Sequence, residues 1–94
     1  MSQADRLPDD VELVRVTPWF DARSVPSGLL AAHRVADGVW GRLVVDAGSV
    51  VFVFDERPGP PRTLRAGDTQ VIPPGQPHHI RPDGGARFRV EFHR

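Results

Sequence analysis

The stretch Gly67-Asp68-Thr69-Gln70-Val71-Ile72-Pro73-Pro74-Gly75-Gln76-Pro77-His78-His79 decides how this chain reads. Gly67-Asp68 has turn chemistry. Residues 69–72 form a short strand, with Val71-Ile72 as its buried signal. Pro73-Pro74-Gly75 then sets the backbone through two locked φ angles and one permissive residue. His78 and His79 open the next strand, over residues 78–81. A histidine after so stiff a bend loses little further freedom on binding, which is what a metal or ligand site needs. Adjacent residues on a strand face opposite ways, so one of the two histidines enters the interior.

The same texture extends in both directions. Ten prolines and nine glycines punctuate short runs rich in valine and phenylalanine, which argues against long helices and for an all-β sandwich or barrel. Residues 11–17 form a first strand whose alternation slips between Leu13 and Val14. Residues 28–35 read as a second strand, followed by a turn at Ala36-Asp37-Gly38. Residues 39–46 and 50–55, joined through Ala47-Gly48-Ser49, read as the clearest hairpin. A Pro/Gly loop over residues 56–61 leads to a short strand at 62–65. Pro82-Asp83-Gly84-Gly85 is a strong turn before the last strand at 87–93. About eight strands result, with no internal repeat.

Ninety-four residues make one domain. Residues 1–10 are expected as a flexible N-terminal arm and residues 11–94 as a single domain. The chain has no cysteine, which excludes disulfides and thiolate metal sites and fits a reducing compartment. Twelve basic residues, all arginine, balance twelve acidic ones. Bulk charge therefore points to neither nucleic acid nor an anionic membrane. No apolar run is long enough to span a membrane. The expectation is a soluble, cytoplasmic protein.

Four histidines carry the candidate chemistry: His33, His78, His79 and His93. On its strand, His33 shares a face with Leu29 and Ala31, as a metal ligand or as a core histidine held by a backbone carbonyl. His78 follows the stiff bend, and His93 reads as a surface residue. Glu91 sits between Val90 and Phe92, either exposed or held by a partner. Two histidines and one carboxylate would make a site with open positions for Fe(II), Zn(II) or Mn(II). Parity opposes this. If Phe88, Val90 and Phe92 fill the interior, Glu91 points out unless a bulge or a dimer interface intervenes. Arg34, Arg42 and Arg81 either hold an anion or keep strand edges soluble. Trp19 and Phe20 lie on a loop, where they can pack on the core, close the barrel mouth or meet a second subunit. No glycine-rich phosphate loop and no nucleophile elbow is present.

The opening stretch resembles the second signature motif of the cupin superfamily, through Gly67, Pro73, Gly75 and His78. In that pattern the histidine is a metal ligand at the barrel mouth. Pro82 stands where an asparagine is usual, and the first motif's His-x-His is absent near residues 34–41. A longer match runs through Thr17-Pro18, Val25-Pro26-Ser27-Gly28-Leu29-Leu30, His33, Gly38-Val39-Trp40-Gly41-Arg42-Leu43, the Pro73–His78 bend and Val90-Glu91-Phe92. It is similar to the small cupin family named after the N-terminal domain of tellurite-resistance protein B, which includes the YeaR-like proteins. The resemblance implies a cupin-like double-stranded antiparallel β-barrel (a jelly roll), frequently as a homodimer. It implies a divalent metal (Zn, Fe or Mn) on His33, His78 and Glu91, and a small-molecule or anionic ligand. Iron would point to an oxygenase and zinc to Lewis-acid chemistry. The alternative is a non-enzymatic sensor or interaction domain with structural histidines. The methyltransferase domain of the tellurite protein has no counterpart in these residues, so its S-adenosylmethionine chemistry is not implied.

Overall fold

The computed structural model describes residues 6–30 and 34–94. They form seven strands: β1 (Leu13–Val16), β2 (Trp40–Ala47), β3 (Ser49–Phe54), β4 (Arg62–Arg65), β5 (Thr69–Ile72), β6 (His78–Pro82) and β7 (Arg87–His93). All pairings are antiparallel. Sheet A has the order β1-β7-β2-β5, and sheet B has the order β4-β3-β6. The two sheets enclose one core but, among the described residues, do not close into a single barrel.

Alternation decides what each strand buries. On β2, Leu43 and Val45 point between the sheets, while Arg42 and Val44 point away. Val50 and Phe52 of β3, Leu64 of β4, Ile72 of β5, Ile80 of β6 and Phe88 and Val90 of β7 complete the core. Each such side chain contributes about 1.5–3 kcal/mol by leaving water.

The expected hairpin at Gly48 is not one. Strand β2 lies in sheet A and β3 in sheet B, so the chain changes sheets there. Gly48 has φ +64°, and a Cβ on it would lie 2.6 Å from the backbone of Gly85 and Ala86. Glycine is needed on both counts. A register shift between Val45 and Ala47 loosens β2 just before this corner. In its own sheet β3 pairs instead with β4, across the 55–61 loop, and with β6.

The strand expected over residues 28–35 is also corrected. Pro26 precedes a 3₁₀ turn at Ser27–Leu30, and the Leu29 N–H donates to the Pro26 carbonyl at 3.0 Å. A proline with a glycine two residues on favours a tight turn over a ladder. His33, expected on that strand, lies outside the described residues.

The slip at Leu13-Val14 appears as a register shift between Leu13 and Arg15 where β1 pairs with β7. Beyond β1 the chain keeps following β7. The Thr17 N–H donates to the Val90 carbonyl at 2.9 Å, and the Thr17 hydroxyl accepts the Val90 N–H at 3.0 Å. Phe20 then pairs with Phe88 through both backbone bonds, with their rings 5.9 Å apart. Phe20 therefore packs on the core. Trp19 turns the other way, under the guanidinium groups of Arg87 and Arg89, each 4.5 Å from its ring. No helix among the described residues is long and apolar enough to cross a membrane.

Candidate functional site

The bend before the histidine pair has the expected form. Gly67 and Gly75 both take positive φ, +92° and +72°. The Gly67 N–H donates to the Val45 carbonyl at 2.9 Å, and the Gly75 N–H to the Val35 carbonyl at 3.1 Å. The turn and the bend are thus pinned to neighbouring backbone, and β6 starts from a fixed point.

Alternation then separates the two histidines. His78 is 2% exposed and faces the interior. Its ring stacks on Phe52, with centroids 5.4 Å apart and planes 17° apart. Its Nδ1 lies 3.0 Å from the Gln76 carbonyl oxygen, which accepts the Nδ1 proton. His79 faces outward, with Nδ1 2.6 Å from a carboxylate oxygen of Asp55.

His78 forms part of the wall of a cavity of about 230 Å³ between the sheets. Ile72, Val90 and Phe92 line it from sheet A, and Leu29 and Val35 from the segment before β2. The lining is mostly apolar, and Arg15 and Thr17 add a cation and a hydroxyl. The Arg15 guanidinium lies 5.4 Å over the Phe92 ring. Chemically the cavity suits a small apolar body with one polar group, and the Arg15 cation favours an anionic one. His78 and Arg15 are the groups able to orient it.

Arg15 is absent from the sequence-derived candidates because alternation alone gives no reason to turn it toward His78. The register shift in β1 is what sets Arg15 opposite Phe92. The slip at Leu13-Val14 was the available signal.

Glu91 is not brought to His78. Phe88 and Val90 are buried, Phe92 packs on the core, and Glu91 lies on the opposite face of β7. There it is 3.2 Å from His93 Nε2 and 3.8 Å from the guanidinium groups of Arg42 and Arg89. His93, expected at the surface, is only 9% exposed beside it. The Nε atoms of Arg42 and Arg89 are buried with no hydrogen-bond partner among the described residues. Nor do three side chains of the metal-binding types converge anywhere among the described residues. Of the expected ligands, the described residues place His78 at the cavity and Glu91 on the opposite face of β7, while His33 lies outside them.

The TehB-like domain model matches residues 15–90. The chain belongs to the TehB-like family. Its fold is similar to that of a structural-genomics target from E. coli (strain K12), with a TM-score of 0.84, 26% identity and 95% of each chain covered. It is also similar to TehB from Haemophilus influenzae, at a TM-score of 0.77 and 14% identity over 90% of this chain. The match covers 32% of TehB, so this chain spans about a third of that protein. A cupin-2 domain protein from Shewanella frigidimarina aligns with a TM-score of 0.53 and 21% identity, over 86% of this chain and 64% of that one. A search of curated protein sequences finds no match. The cupin-like fold and the TehB-like family expected from the motifs are both found.

Proposed function

We propose that this TehB-like chain is a small-molecule-binding module whose ligand occupies the cavity beside His78. One observation carries the reading. An imidazole 2% exposed, with its Nδ1 held by a backbone carbonyl, forms part of the wall of an otherwise mostly apolar cavity. A polar ring in the wall of an apolar cavity can orient the polar head of a ligand seated there. Arg15 supplies the charge that selects an anionic head. Tellurite or a related oxyanion enters only through the family's name.

Hexanoate is a suitable probe, with an apolar body and one carboxylate. In a titration followed by amide NMR, residues around Leu29, Val35 and Phe92 are expected to shift saturably. His78→Ala and Arg15→Ala should each weaken binding about tenfold, the loss of one charge-assisted contact. Saturable binding that neither substitution alters would overturn the assignment, as would no shift at those residues.

A divalent metal in the same cavity is a second reading. It is favoured by His78 alone, because metal-bound imidazoles have their other nitrogen held in this way. His33 would have to join it, and Glu91 would not. Tag-free protein incubated with Fe(II), Zn(II) or Mn(II) and then gel-filtered should retain metal, and His33→Ala and His78→Ala should each lose it. Elemental analysis reading no metal in the wild type removes this reading and leaves the first intact. The homodimer belongs to the same proposal, and light scattering at the mass of one chain would remove it.

A further inference from the structure

Every close arginine–carboxylate pair among the described residues uses Arg34, Arg42, Arg87 or Arg89. Arg57 and Arg62 differ. Neither lies within ion-pair distance of a described carboxylate, yet both guanidinium groups are held in place by neutral oxygen atoms. Arg57 Nη2 donates to Gln76 Oε1 at 2.5 Å, and the group lies 3.9 Å over the Phe54 ring. Arg62 Nη1 donates to Gln70 Oε1 at 2.6 Å and to the Thr69 carbonyl at 3.3 Å. An amide oxygen orients a guanidinium without cancelling its charge. Each keeps most of its five donors for another partner.

The two arginines bracket the run Arg57-Pro58-Gly59-Pro60-Pro61-Arg62. Three prolines restrict φ along this loop, so little freedom is left to lose on binding. Loop and strands enclose a cleft of about 170 Å³, to which both arginines contribute. Phe52, Phe54 and Gln70 form its inner side, and no carboxylate lines it. Gln70 is 3% exposed and faces the core side of β5, where an apolar residue would pack without needing partners. Its amide instead donates to the Val71 carbonyl, and its oxygen receives Arg62.

We propose that Arg57 and Arg62 form a binding site for a small oxyanion in this cleft, separate from the His78 cavity. The two share no lining residue. The ligand class is a phosphate or carboxylate group, which the planar guanidinium fork matches in geometry and charge. Uncompensated positive charge beside low-dielectric aromatic walls concentrates such anions.

The test is an amide and arginine side-chain NMR titration with inorganic phosphate and, separately, with acetate, at constant ionic strength. Saturable shifts are expected at Arg57, Arg62 and Gln70, and not around Leu29 and Val35. Tighter binding of phosphate assigns the site to phosphate-like oxyanions, and tighter binding of acetate assigns it to carboxylates. Arg57→Gln and Arg62→Gln should each weaken the better probe about tenfold. Arg57→Lys and Arg62→Lys should recover only part, because charge is restored without the fork. Both arginines are surface-accessible, and an unchanged amide spectrum in each variant checks folding. The proposal is overturned if neither probe gives saturable shifts at these residues, or if the Arg57→Gln/Arg62→Gln double variant binds as the wild type does. Neither result bears on hexanoate binding at His78.

Discussion

Strand β7 presents two faces of opposite character. Phe88, Val90 and Phe92 enter the core, and Phe88 is fully buried. Arg89, Glu91 and His93 lie on the other face, in a cluster where one carboxylate serves two guanidinium groups and an imidazole. The first face is held by apolar burial, which needs no exact geometry between partners. The second is held by charges that each need a partner and are in part solvated. The same backbone therefore carries two kinds of stabilisation that should respond differently to truncation, salt and acid.

The sharpest contrast is between truncations. Phe88→Ala should cost about 3–5 kcal/mol in urea unfolding, because it removes a large side chain from a fully packed site. A cost below about 1 kcal/mol would mean that the inner face is not the stabilising one. Glu91→Gln should cost about 1 kcal/mol, since Arg42 and Arg89 keep partial contact with water. That cost should shrink in high salt, whereas the Phe88 cost should not. Equal salt sensitivity would break the distinction between the faces.

Smaller effects refine it. Trp19→Ala removes the ring under Arg87 and Arg89 and should cost about 0.5–1 kcal/mol beyond the loss of its apolar area. A double-mutant cycle with Arg87→Ala isolates that contribution. Acid gives the smallest effect. Asp83, in the turn before β7, accepts hydrogen bonds from the Ser49 hydroxyl and N–H and from the Gly85 N–H. The Ser49 hydroxyl, followed by these backbone groups, holds its carboxyl below the usual aspartate range. A depressed folded-state pKa stabilises above the unfolded value and is lost as pH falls through the folded one. The stability difference between wild type and Ser49→Ala should therefore be constant near neutrality and narrow below about pH 4. A difference that is flat to pH 2 would show that the bond does not depend on ionisation.

The two faces of β7 were legible from alternation, because period-two patterning reports which side of a sheet a residue takes. The same rule placed His78 inside and His79 outside. Strand limits from β2 to β7 were readable for the same reason, within a residue or so. Pairing was not. Residues 39–46 and 50–55 look like a hairpin, since their local pattern is identical whether the chain folds back or crosses to the facing sheet. Only the crowding of Gly48 against Gly85 and Ala86 distinguishes the two, and that contact is remote in sequence. Arg15 escaped because a register shift, not alternation, sets its position. Arg57 and Arg62 escaped because a Pro/Gly loop reads as a connector until the glutamines that orient it are in place.

The sheet change at Gly48 also bears on the order in which the fold can assemble. With β2 and β3 assigned to different sheets, β3–β4 is the one pairing between consecutive strands among those described. Strand β3 waits for residues 78–82 and β2 for residues 69–72 and 87–93. β1 waits for β7 as well. A chain emerging from the ribosome can therefore form one hairpin early, can add β2–β5 and β3–β6 only once residues 72 and 82 are made, and must hold β1 and the second edge of β2 open until residue 93 has been made. Distant pairings of this kind are slow to close, and the unpaired valine-rich strands remain exposed to other chains throughout that interval.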